Sequence, residues 1–373
     1  MNPTPDLWSP RKRRVAAFSA GAVLALAACT PMQTTSGGAQ PAPPAATSAP
    51  TTAPAMATAA AAPRQADLQR LVDTAYARFR DLKDGANADY IPELAKVPAD
   101  LFGVAIVTVD GRVYTAGDVN HTFSIQSVSK PFTAALVMQQ QGAETIQKQI
   151  GVEATGFPFN SIEAIALQPQ RSSNPLVNAG AIAAVSLVKA GNAETKYRMI
   201  EDWYGAFAGE KLSMLDDIYR SEAATNQGNR AIAALLNKYG RIYADPTESV
   251  DVYTRQCSVG VTARQLAVMG ATLANGGVNP VTRQRVLDAR YVPKTLAIMS
   301  TAGFYDESGL WAFTAGLPAK TGVGGGIVAV VPGQMAIVGF SPRLNPAGNS
   351  IRATRAIEYI AGELGVSMFG TGR

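Results

Sequence analysis

The sequence predicts an α/β protein of the α+β type, with one antiparallel sheet built from terminal hairpins, flanked by helices and joined to a helical lobe. Three observations predict this class. Strand patterns occur near both ends of the globular region, helical patterns fill the chain between them, and a further helical pattern lies outside each strand pair. A chain of 373 residues, of which 47% are hydrophobic and 16% charged, has enough apolar material for such a two-lobed molecule.

The predicted elements follow from two kinds of spacing. Apolar residues at helical spacing predict helices over 65–82, 126–141, 176–188, 231–239, 261–273 and 352–364. Short β-rich stretches predict two hairpins, formed by 102–109 with 112–116 and by 326–331 with 335–340. Asp110-Gly111 and Pro332-Gly333 supply the turns of these hairpins. We therefore expect the first and last helices to cover the sheet and the middle helices to form the second lobe.

The first 28 residues are typical of a secretory signal peptide. Arg11-Lys12-Arg13-Arg14 precedes an apolar run over 15–28 that is too short to span a bilayer comfortably. Leu26-Ala27-Ala28-Cys29 resembles the bacterial lipobox, in which the cysteine is lipidated and becomes the new N-terminus. The alternative is an ordinary cleavage site with an incidental cysteine, and Arg13-Arg14 leaves twin-arginine export open. We expect an exported protein of the periplasm or cell envelope, anchored to a membrane through a lipid on Cys29.

Residues 29–64 form a predicted disordered tether, and residues 65–373 a single folded domain. Pro, Ala, Thr, Ser and Gln dominate the tether, which has no charged residue before Arg64. The net charge of +5 divides into +4 for residues 1–64 and +1 for residues 65–373. Because the basic charge belongs to the N-terminus, we expect the folded domain to bind no nucleic acid.

The scarcity of histidine and cysteine excludes several kinds of site. A histidine-based zinc site needs several clustered ligands, and His121 is the one histidine in the sequence. A Ser-His-Asp triad would have to use the same residue, which lies in a polar stretch and is expected to be a solvated loop histidine. Cys257 lies in a helical, partly apolar setting and is expected to be an inert buried thiol. We therefore expect that any catalysis by this chain needs no metal, cofactor or histidine.

Ser127-Val128-Ser129-Lys130 is the sharpest local motif. A serine one helical turn before a lysine places both side chains on the same face. The lysine can then take the hydroxyl proton if its amine is neutral, which requires burial or nearby positive charge. Ser186-Leu187-Val188-Lys189 has the same spacing but lies in an apolar helical run without a partner motif. An S-x-x-K motif is therefore weak evidence when it stands alone.

A second motif near the C-terminus strengthens the first. Lys320-Thr321-Gly322 is followed by Val323, three glycines and a predicted strand. Lys-Thr-Gly on an edge strand lines the active site of serine β-lactamases and penicillin-binding proteins. The glycines let a substrate lie against the backbone, whose N–H groups can stabilise an oxyanion. Together the two motifs predict one active site with Ser127 as its nucleophile.

Six sequence blocks resemble the serine-dependent glutaminases of bacteria. They are Asp89–Leu94, Phe123–Lys130, Gly156–Ser161, Asn174–Ile182, Tyr253–Ser258 and Gly316–Gly326. The blocks occur in the family's order and spacing, and the resemblance runs from about residue 66 to 368. It implies a β-lactamase-like fold, hydrolysis of L-glutamine to L-glutamate and ammonia, and a homo-oligomer.

The resemblance also implies roles for individual residues. Ser127 would be the nucleophile, Lys130 its base, and Tyr253 a neighbour that binds substrate and relays a proton to the leaving ammonia. The positions implied to hold the substrate are Ser127, Asn178, Glu222, Asn229, Tyr253, Tyr305 and Val323, the last through its backbone.

These roles suit the chemistry of free glutamine. Its α-ammonium needs an anion such as Glu222, and its carboxylate needs donors such as Asn178, Asn229 or a tyrosine hydroxyl. The side-chain carbonyl would lie between the N–H groups of Ser127 and Val323. Without the resemblance, Glu222 could equally cap or line a helix start, Asn178 could be a buried structural residue, and the two tyrosines could be ordinary half-buried aromatics.

Two rival functions stay open at this point. Ser172-Ser173-Asn174 contains a Ser-x-Asn triplet, which in class A β-lactamases lies between the other two motifs. A β-lactamase or D,D-peptidase is therefore the rival enzyme. A catalytically inactive lipoprotein that binds glutamine or envelope partners is the rival from another class. The intact Ser127, Lys130 and Tyr253 argue against that loss of activity.

Overall fold

A five-stranded antiparallel sheet organises the computed structural model, which describes residues 65–169 and 171–370. The predicted signal peptide, Cys29 and the tether lie outside these residues. Within the described ranges, no helix is both long enough and apolar enough to cross a membrane.

Eight strands lie in the described residues: β1 Gly103–Thr108, β2 Val113–Gly117, β3 Phe123–Ser124, β4 Ser213–Met214, β5 Val259–Val261, β6 Ala319–Thr321, β7 Gly326–Val331 and β8 Met335–Phe340. The helices in the same ranges are α1 Gln65–Phe79, α2 Pro92–Ala95, α3 Lys130–Gln141, α4 Ala143–Thr145, α5 Ile162–Leu167, α6 Asn178–Leu187, α7 Ala193–Ala208, α8 Asp216–Thr225, α9 Gln227–Lys238, α10 Pro246–Cys257, α11 Ala263–Ala274, α12 Val292–Ala302, α13 Ser308–Thr314 and α14 Ile351–Leu364. Shorter helical turns lie at Gln126–Ser129, Ile146–Ile150, Ala289–Tyr291 and Tyr305–Glu307.

The main sheet joins the two ends of the domain. Its strand order is β2-β1-β8-β7-β6, so the N-terminal hairpin pairs with the C-terminal one through β1 and β8. Thr108 lies opposite Met335, and Gly103 lies opposite Phe340. The predicted sheet of terminal hairpins is confirmed. A second sheet of three short strands, β3-β5-β4, had no counterpart in the prediction.

Both faces of the main sheet are buried, and they belong to different cores. Val104 and Ile106 of β1 pack with α1 and α14, whereas Ala105 and Val107 pack with the helical lobe. This alternation is the two-residue period of a strand with an apolar layer on each side. The first and last helices therefore cover one face, as predicted.

Helix α11 lies directly on the other face, and Gly270 sets how closely it approaches. A Cβ atom at Gly270 would lie 2.5 Å from Cγ2 of Val328 and 2.7 Å from Cβ of Ala336. We expect Gly270→Ala to lower the free energy of unfolding by about 1–3 kcal/mol, because the helix must move away from the sheet. Urea unfolding would measure this change.

Gly362→Ala is the matched control, since Gly362 also lies within a helix but has open space at its Cβ position. Here alanine should raise the free energy of unfolding by about 0.5–1 kcal/mol through helix propensity. Equal effects of the two substitutions would contradict the tight contact at Gly270.

Two local predictions need correction. The helix predicted over 126–141 begins as a 3₁₀ turn at Gln126–Ser129, and the α-helix starts at Lys130. His121, expected to be solvated, is half-buried and stacks on Phe340 with ring centroids 5.6 Å apart. The polar neighbours of His121 in the sequence did not reveal that β8 ends beneath it.

Candidate active site

The Gln126–Ser129 turn carries Ser127 at the junction of the sheet and the helical lobe. Gln126 has a φ of +46°, in the left-handed region that non-glycine residues rarely adopt. The Ser129 hydroxyl donates to the carbonyl of Gln126 at 2.6 Å, and the Tyr204 hydroxyl donates to the carbonyl of Ser129 at 3.3 Å. These buried hydrogen bonds hold the turn, and so the position of Ser127, from behind.

The loop after β6 lies against this turn, and two glycines make the approach close. A Cβ atom at Gly322 would lie 3.0 Å from the carbonyl oxygen of Ile125, and one at Gly324 would lie 2.2 Å from that of Ser124. Any side chain at Gly324 would push the loop away. The glycines of the Lys-Thr-Gly segment thus allow Val323 and Ser127 to line the same cavity.

That cavity has a volume of about 260 Å³. Six of the residues predicted to bind substrate line it: Ser127, Asn178, Glu222, Asn229, Tyr253 and Val323. The other lining residues were not singled out from the sequence: Tyr90, Ile91, Gln126, Phe159, Asn160, Thr225, Asn226 and Gly228. The fold therefore brings together side chains from the sheet side and from helices α6, α8, α9 and α10.

Lys130 lies behind the cavity wall and is fully buried. Its Nζ donates to Oδ1 of Asn178 at 2.7 Å and lies 5.8 Å and 6.0 Å from the ring centroids of Tyr253 and Phe159. Burial lowers the pKa of Lys130 to about 8, while attraction to Glu222 opposes part of that change. About a tenth of the amine is therefore neutral at pH 7, far more than for an ordinary lysine.

Asn178, the first residue of α6, connects three polar side chains. Its Oδ1 accepts hydrogen bonds from Lys130 and from the Tyr253 hydroxyl, the latter at 3.1 Å, and its Nδ2 donates to Oδ1 of Asn229 at 2.9 Å. Burial raises the pKa of Tyr253 well above its usual value, so its hydroxyl stays protonated. Asn178 is thus a buried, hydrogen-bonded residue and also part of the cavity wall.

Glu222 lies in the second half of α8, and its side chain is buried in the cavity wall rather than capping the helix start. Nε2 of Gln126 donates to Oε2 of Glu222 at 3.1 Å. Burial raises the pKa of this carboxyl to about 7, and the hydrogen bond from Gln126 and the charge of Lys130 act in the opposite direction. Glu222 is therefore a buried carboxylate that a cationic ligand would stabilise.

Tyr305 does not line the 260 Å³ cavity but lies next to Ser127, which does. Its φ is +59°, its hydroxyl donates to the carbonyl of Thr321 at 3.3 Å, and its ring packs on Phe159 with centroids 4.6 Å apart. Burial raises the pKa of Tyr305, and a hydrogen bond with Ser127 opposes part of that change. The hydroxyl therefore stays protonated and lies beside Ser127.

Lys320 holds the Tyr305 turn against β6. Its Nζ donates to the carbonyls of Gly303 and Thr321 at 3.0 Å and 2.7 Å and lies 4.1 Å from the centroid of the Tyr305 ring. Burial lowers the pKa of Lys320 well below its usual value. The lysine of Lys-Thr-Gly therefore contacts backbone and aromatic surface next to the cavity.

The side chains of Ser172 and Asn174, in the Ser-x-Asn triplet, hydrogen-bond to backbone carbonyls outside the cavity. Ser172 donates to the carbonyl of Ile150, and Asn174 donates to that of Glu153, both at 2.7 Å. None of the triplet lines the cavity. The spacing that suggested a third β-lactamase motif thus supports the loop before α6 instead.

The second S-x-x-K match and Cys257 lie outside the cavity. Ser186 bonds to the carbonyl of Ala183 while Lys189 is exposed, so the second S-x-x-K match forms no site. Cys257 is a free, buried thiol whose pKa burial raises to about 12. Among residues 65–169 and 171–370, no three His, Cys, Asp or Glu side chains cluster closely enough to hold a metal ion.

Of the cavity residues that were not singled out from the sequence, Gln126, Tyr90 and Phe159 lie in sequence segments that could have drawn attention to them. Gln126 directly precedes Ser127, but nothing in the sequence links it to Glu222. Tyr90 and Phe159 lie in two of the blocks that carry the resemblance, where no separate role was given to them.

A sheet of terminal hairpins, a helical lobe and an S-x-x-K serine between them define a β-lactamase-like fold. Comparison with known proteins narrows this class. The glutaminase family model matches residues 85–369. The chain belongs to the glutaminase family, whose members are amidohydrolases.

The similarity extends over nearly the whole described domain. A glutaminase of Colwellia psychrerythraea is 54% identical over 310 residues, covering 83% of this chain and all of the relative, and one of Mycobacterium ulcerans is 51% identical over 304 residues, covering 82% and 95%. Among solved structures, the probable glutaminase ybaS is 49% identical with a TM-score of 0.81, covering 82% of this chain and 99% of that one. The protein Mglu in its glutamate form is 34% identical with a TM-score of 0.75, covering 81% and 70%.

Proposed function

We propose that this protein hydrolyses L-glutamine to L-glutamate and ammonia through an acyl-enzyme formed on Ser127. The observation that carries the proposal is the composition of one small cavity. Ser127 and Val323 of the glycine-rich loop line it together with the buried Glu222 carboxylate and the amide side chains of Asn178 and Asn229. An amino acid with a side-chain amide presents matching groups at its two ends.

In the proposed complex, each end of glutamine has its own partners. The α-ammonium binds the Glu222 carboxylate, and the α-carboxylate accepts hydrogen bonds from the amides of Asn178 and Asn229. The side-chain amide then lies beside Ser127, with its carbonyl oxygen between the N–H groups of Ser127 and Val323. Gln126 keeps the Glu222 carboxylate in place through its 3.1 Å hydrogen bond.

The acylation step uses the neutral form of Lys130. Lys130 takes the Ser127 proton, Oγ attacks the amide carbon, and the two N–H groups stabilise the oxyanion. Lys130 and Tyr253 hydrogen-bond to the same oxygen of Asn178, which fixes both near the reacting centre. Tyr253 then passes a proton to the leaving ammonia and recovers one from Lys130, and water hydrolyses the γ-glutamyl ester.

The direct test measures ammonia and glutamate release from L-glutamine by the purified protein, with a chromogenic cephalosporin in parallel. We expect glutamine turnover and no cephalosporin turnover. Cephalosporin cleavage without ammonia release would instead support the rival β-lactamase. If a folded sample turns over neither glutamine nor the cephalosporin, the result would support a binding protein.

Glu222→Gln should raise the KM for L-glutamine by about 30-fold or more, because the α-ammonium loses a buried anionic partner. Glutamine without its α-amino group, 5-amino-5-oxopentanoate, is the matched substrate. The wild-type protein should strongly prefer L-glutamine over this analogue, and Glu222→Gln should remove most of that preference. An unchanged preference would show that the α-ammonium binds elsewhere.

We also propose that the protein is exported and held at a membrane through a lipid on Cys29. The basic, apolar and lipobox-like segments of residues 11–29 support this proposal. The wild-type protein should partition into the detergent phase of a cell extract, and Cys29→Ala into the aqueous phase. Equal partitioning would indicate an ordinary cleavage site.

A further inference from the structure

A cavity of about 480 Å³ lies against the turn Tyr305–Glu307 and is separate from the cavity that holds Ser127. Its wall includes Glu307 of that turn and residues of helices α13 and α14. Within residues 65–169 and 171–370, no residue lines both cavities. A volume of this size is typical of pockets that hold a small molecule. We refer to this space as the α13–α14 cavity.

Part of the wall of the α13–α14 cavity is apolar. Leu310 and Ile351 contribute aliphatic surface, and Phe304 and Trp311 contribute two aromatic rings that stack with centroids 4.1 Å apart. The indole N–H of Trp311 already donates to the carbonyl of Leu317 at 2.7 Å. These side chains therefore suit an apolar body, from which contact removes water.

The charged part of the wall selects the sign of a ligand. Within the described part of the chain, the lining includes three carboxylates, of Asp84, Glu307 and Glu358, and one cation, Arg355. Arg355 is already paired with Glu358, with Nη1 3.3 Å from Oε2. Three negative charges and one positive charge leave an excess of two negative charges. This excess favours a cationic ligand and disfavours an anionic one.

Two oxygen atoms of lining residues lack a hydrogen-bond donor. Oε2 of Glu307 accepts from Nδ2 of Asn345 at 2.9 Å and from Nδ2 of Asn349 at 2.6 Å, whereas Oε1 accepts from no donor among the described residues. Asn349 is 2% exposed, and its Oδ1 has no partner in the same ranges. Buried acceptors are normally satisfied, and an ammonium group carries three donors.

Glu307 connects this cavity to the turn that carries Tyr305. Through its hydrogen bonds to Asn345 and Asn349, the carboxylate joins the turn to the loop 344–349. The same loop lies against Tyr305, because a Cβ atom at Gly348 would lie 3.7 Å from the Tyr305 ring. A ligand that binds Glu307 therefore acts on the turn whose tyrosine lies beside Ser127.

We propose that the α13–α14 cavity is an effector site for small organic cations with an apolar body, and that the bound cation restrains the turn that carries Tyr305. The ammonium group binds the Glu307 carboxylate, and the body packs on Phe304 and Trp311. Binding at this site uses no step of the proposed Ser127 reaction, so the inference stands independently of the substrate.

Three compounds of similar shape test the choice of ligand: 2-phenylethylamine, 2-phenylethanol and 3-phenylpropanoate. Isothermal titration calorimetry of the purified protein at pH 7 and low ionic strength measures each affinity. We expect the amine to bind about tenfold more tightly than the alcohol, and the propanoate to bind most weakly. Absence of amine binding, or equal affinities for the three compounds, would overturn the inference.

Saturating L-glutamate is present in these titrations because the Glu222 carboxylate in the smaller cavity also attracts an ammonium group. L-glutamate should leave the affinity for the amine unchanged, since the two cavities share no lining residue within the described ranges. Displacement of the amine by L-glutamate would overturn the separate site. A titration with L-glutamate alone tests substrate-site binding, and failure there would count against the proposed function and not against the effector site.

Three variants locate the bound amine. Glu307→Gln removes the charge but keeps an acceptor for the two asparagines, and should reduce the affinity for the amine to about that for the alcohol. Thr314→Trp, at an exposed position in the wall, should fill the cavity and abolish binding of both. Asp202→Asn is the control, because Asp202 lies beside Trp203 in the wall of a different cavity and its loss should have no effect. Amine binding that survives Glu307→Gln or Thr314→Trp undiminished, or that is lost in Asp202→Asn, would place the amine elsewhere.

Hydrogen exchange followed by mass spectrometry tests the restraint of the turn. In the wild-type protein, saturating 2-phenylethylamine should slow amide exchange over residues 304–308 by about threefold or more, because local opening of the turn then requires release of the ligand. In Thr314→Trp the amine should leave this exchange unchanged. Tight binding to the wild-type protein without slower exchange would overturn the proposed action on the Tyr305 turn.

Discussion

Ser127→Ala is expected to lower the rate of ammonia release from L-glutamine by about 10⁴-fold or more, since no other group replaces an acyl-forming nucleophile. The hydroxyl that is lost lines the 260 Å³ cavity and hydrogen-bonds with Tyr305. Because alanine fits the same turn, the variant should remain folded and should still bind L-glutamate. Ammonia release and isothermal titration with glutamate measure the two properties separately.

Ser129→Ala is the matched control for this experiment. Ser129 lies in the same turn, but its hydroxyl donates to the carbonyl of Gln126 and does not line the cavity. Its loss should cost about 1 kcal/mol of stability and, because it loosens the turn that carries Ser127, lower the activity by about tenfold or less, far below the effect of Ser127→Ala. Substantial ammonia release by Ser127→Ala, together with inactivity of Ser129→Ala, would move the nucleophile to Ser129.

Lys130→Met is expected to lower kcat/KM by about 10³–10⁴-fold, because it removes the proposed general base while filling nearly the same buried volume. Lys130→Arg should be equally inactive, since a guanidinium stays protonated. Lys196→Met is the control, because Lys196 is also a buried lysine but lies on α7 outside the cavity. Activity of Lys130→Met near the wild-type level would exclude Lys130 as the base.

The same assignment predicts the pH dependence of the wild-type protein. Lys130, with its pKa lowered to about 8, acts in its neutral form, and Glu222, with its pKa raised to about 7, acts as an anion. Both active forms are deprotonated, so kcat/KM should rise with pH, about tenfold per unit between the two pKa values and more steeply below 7. In Glu222→Gln the steeper rise of kcat/KM below pH 7 should be absent. A rate that falls between pH 6 and 8 would contradict both roles.

The main sheet was predictable from the sequence because its hairpins carry local signals. Asp110-Gly111 and Pro332-Gly333 mark the turns, and the strands beside them are apolar. The second sheet was not predictable, since β3 and β4 have two residues each and such short segments have no period. The left-handed Gln126 likewise has no sequence signal, which is why the predicted helix began one turn too early.

In the candidate site, the motifs predicted which side chains react, a prediction that stays untested, but they did not predict the contacts of those side chains. Ser127 and Lys130 are one turn apart, so the sequence alone brings them together. The hydrogen bonds of Asn178 to Asn229 and of Gln126 to Glu222 join segments far apart in the chain, and only tertiary packing sets them. The approach of the loop 344–348 to Val323, where a Cβ atom at Gly348 would lie 3.5 Å from the Val323 side chain, also joins distant segments that no local pattern relates.

The pairing of β1 with β8 has a consequence for the synthesis of this chain. The ribosome completes β1 and β2 early, whereas β8 emerges after the entire helical lobe. Until then, the apolar strand β1 has an open edge that another nascent chain could pair with. A pairing between such distant segments is also slow to form. Self-association during production should therefore be most severe for chains that end before Met335, and coexpressed chaperones should improve the yield of full-length protein.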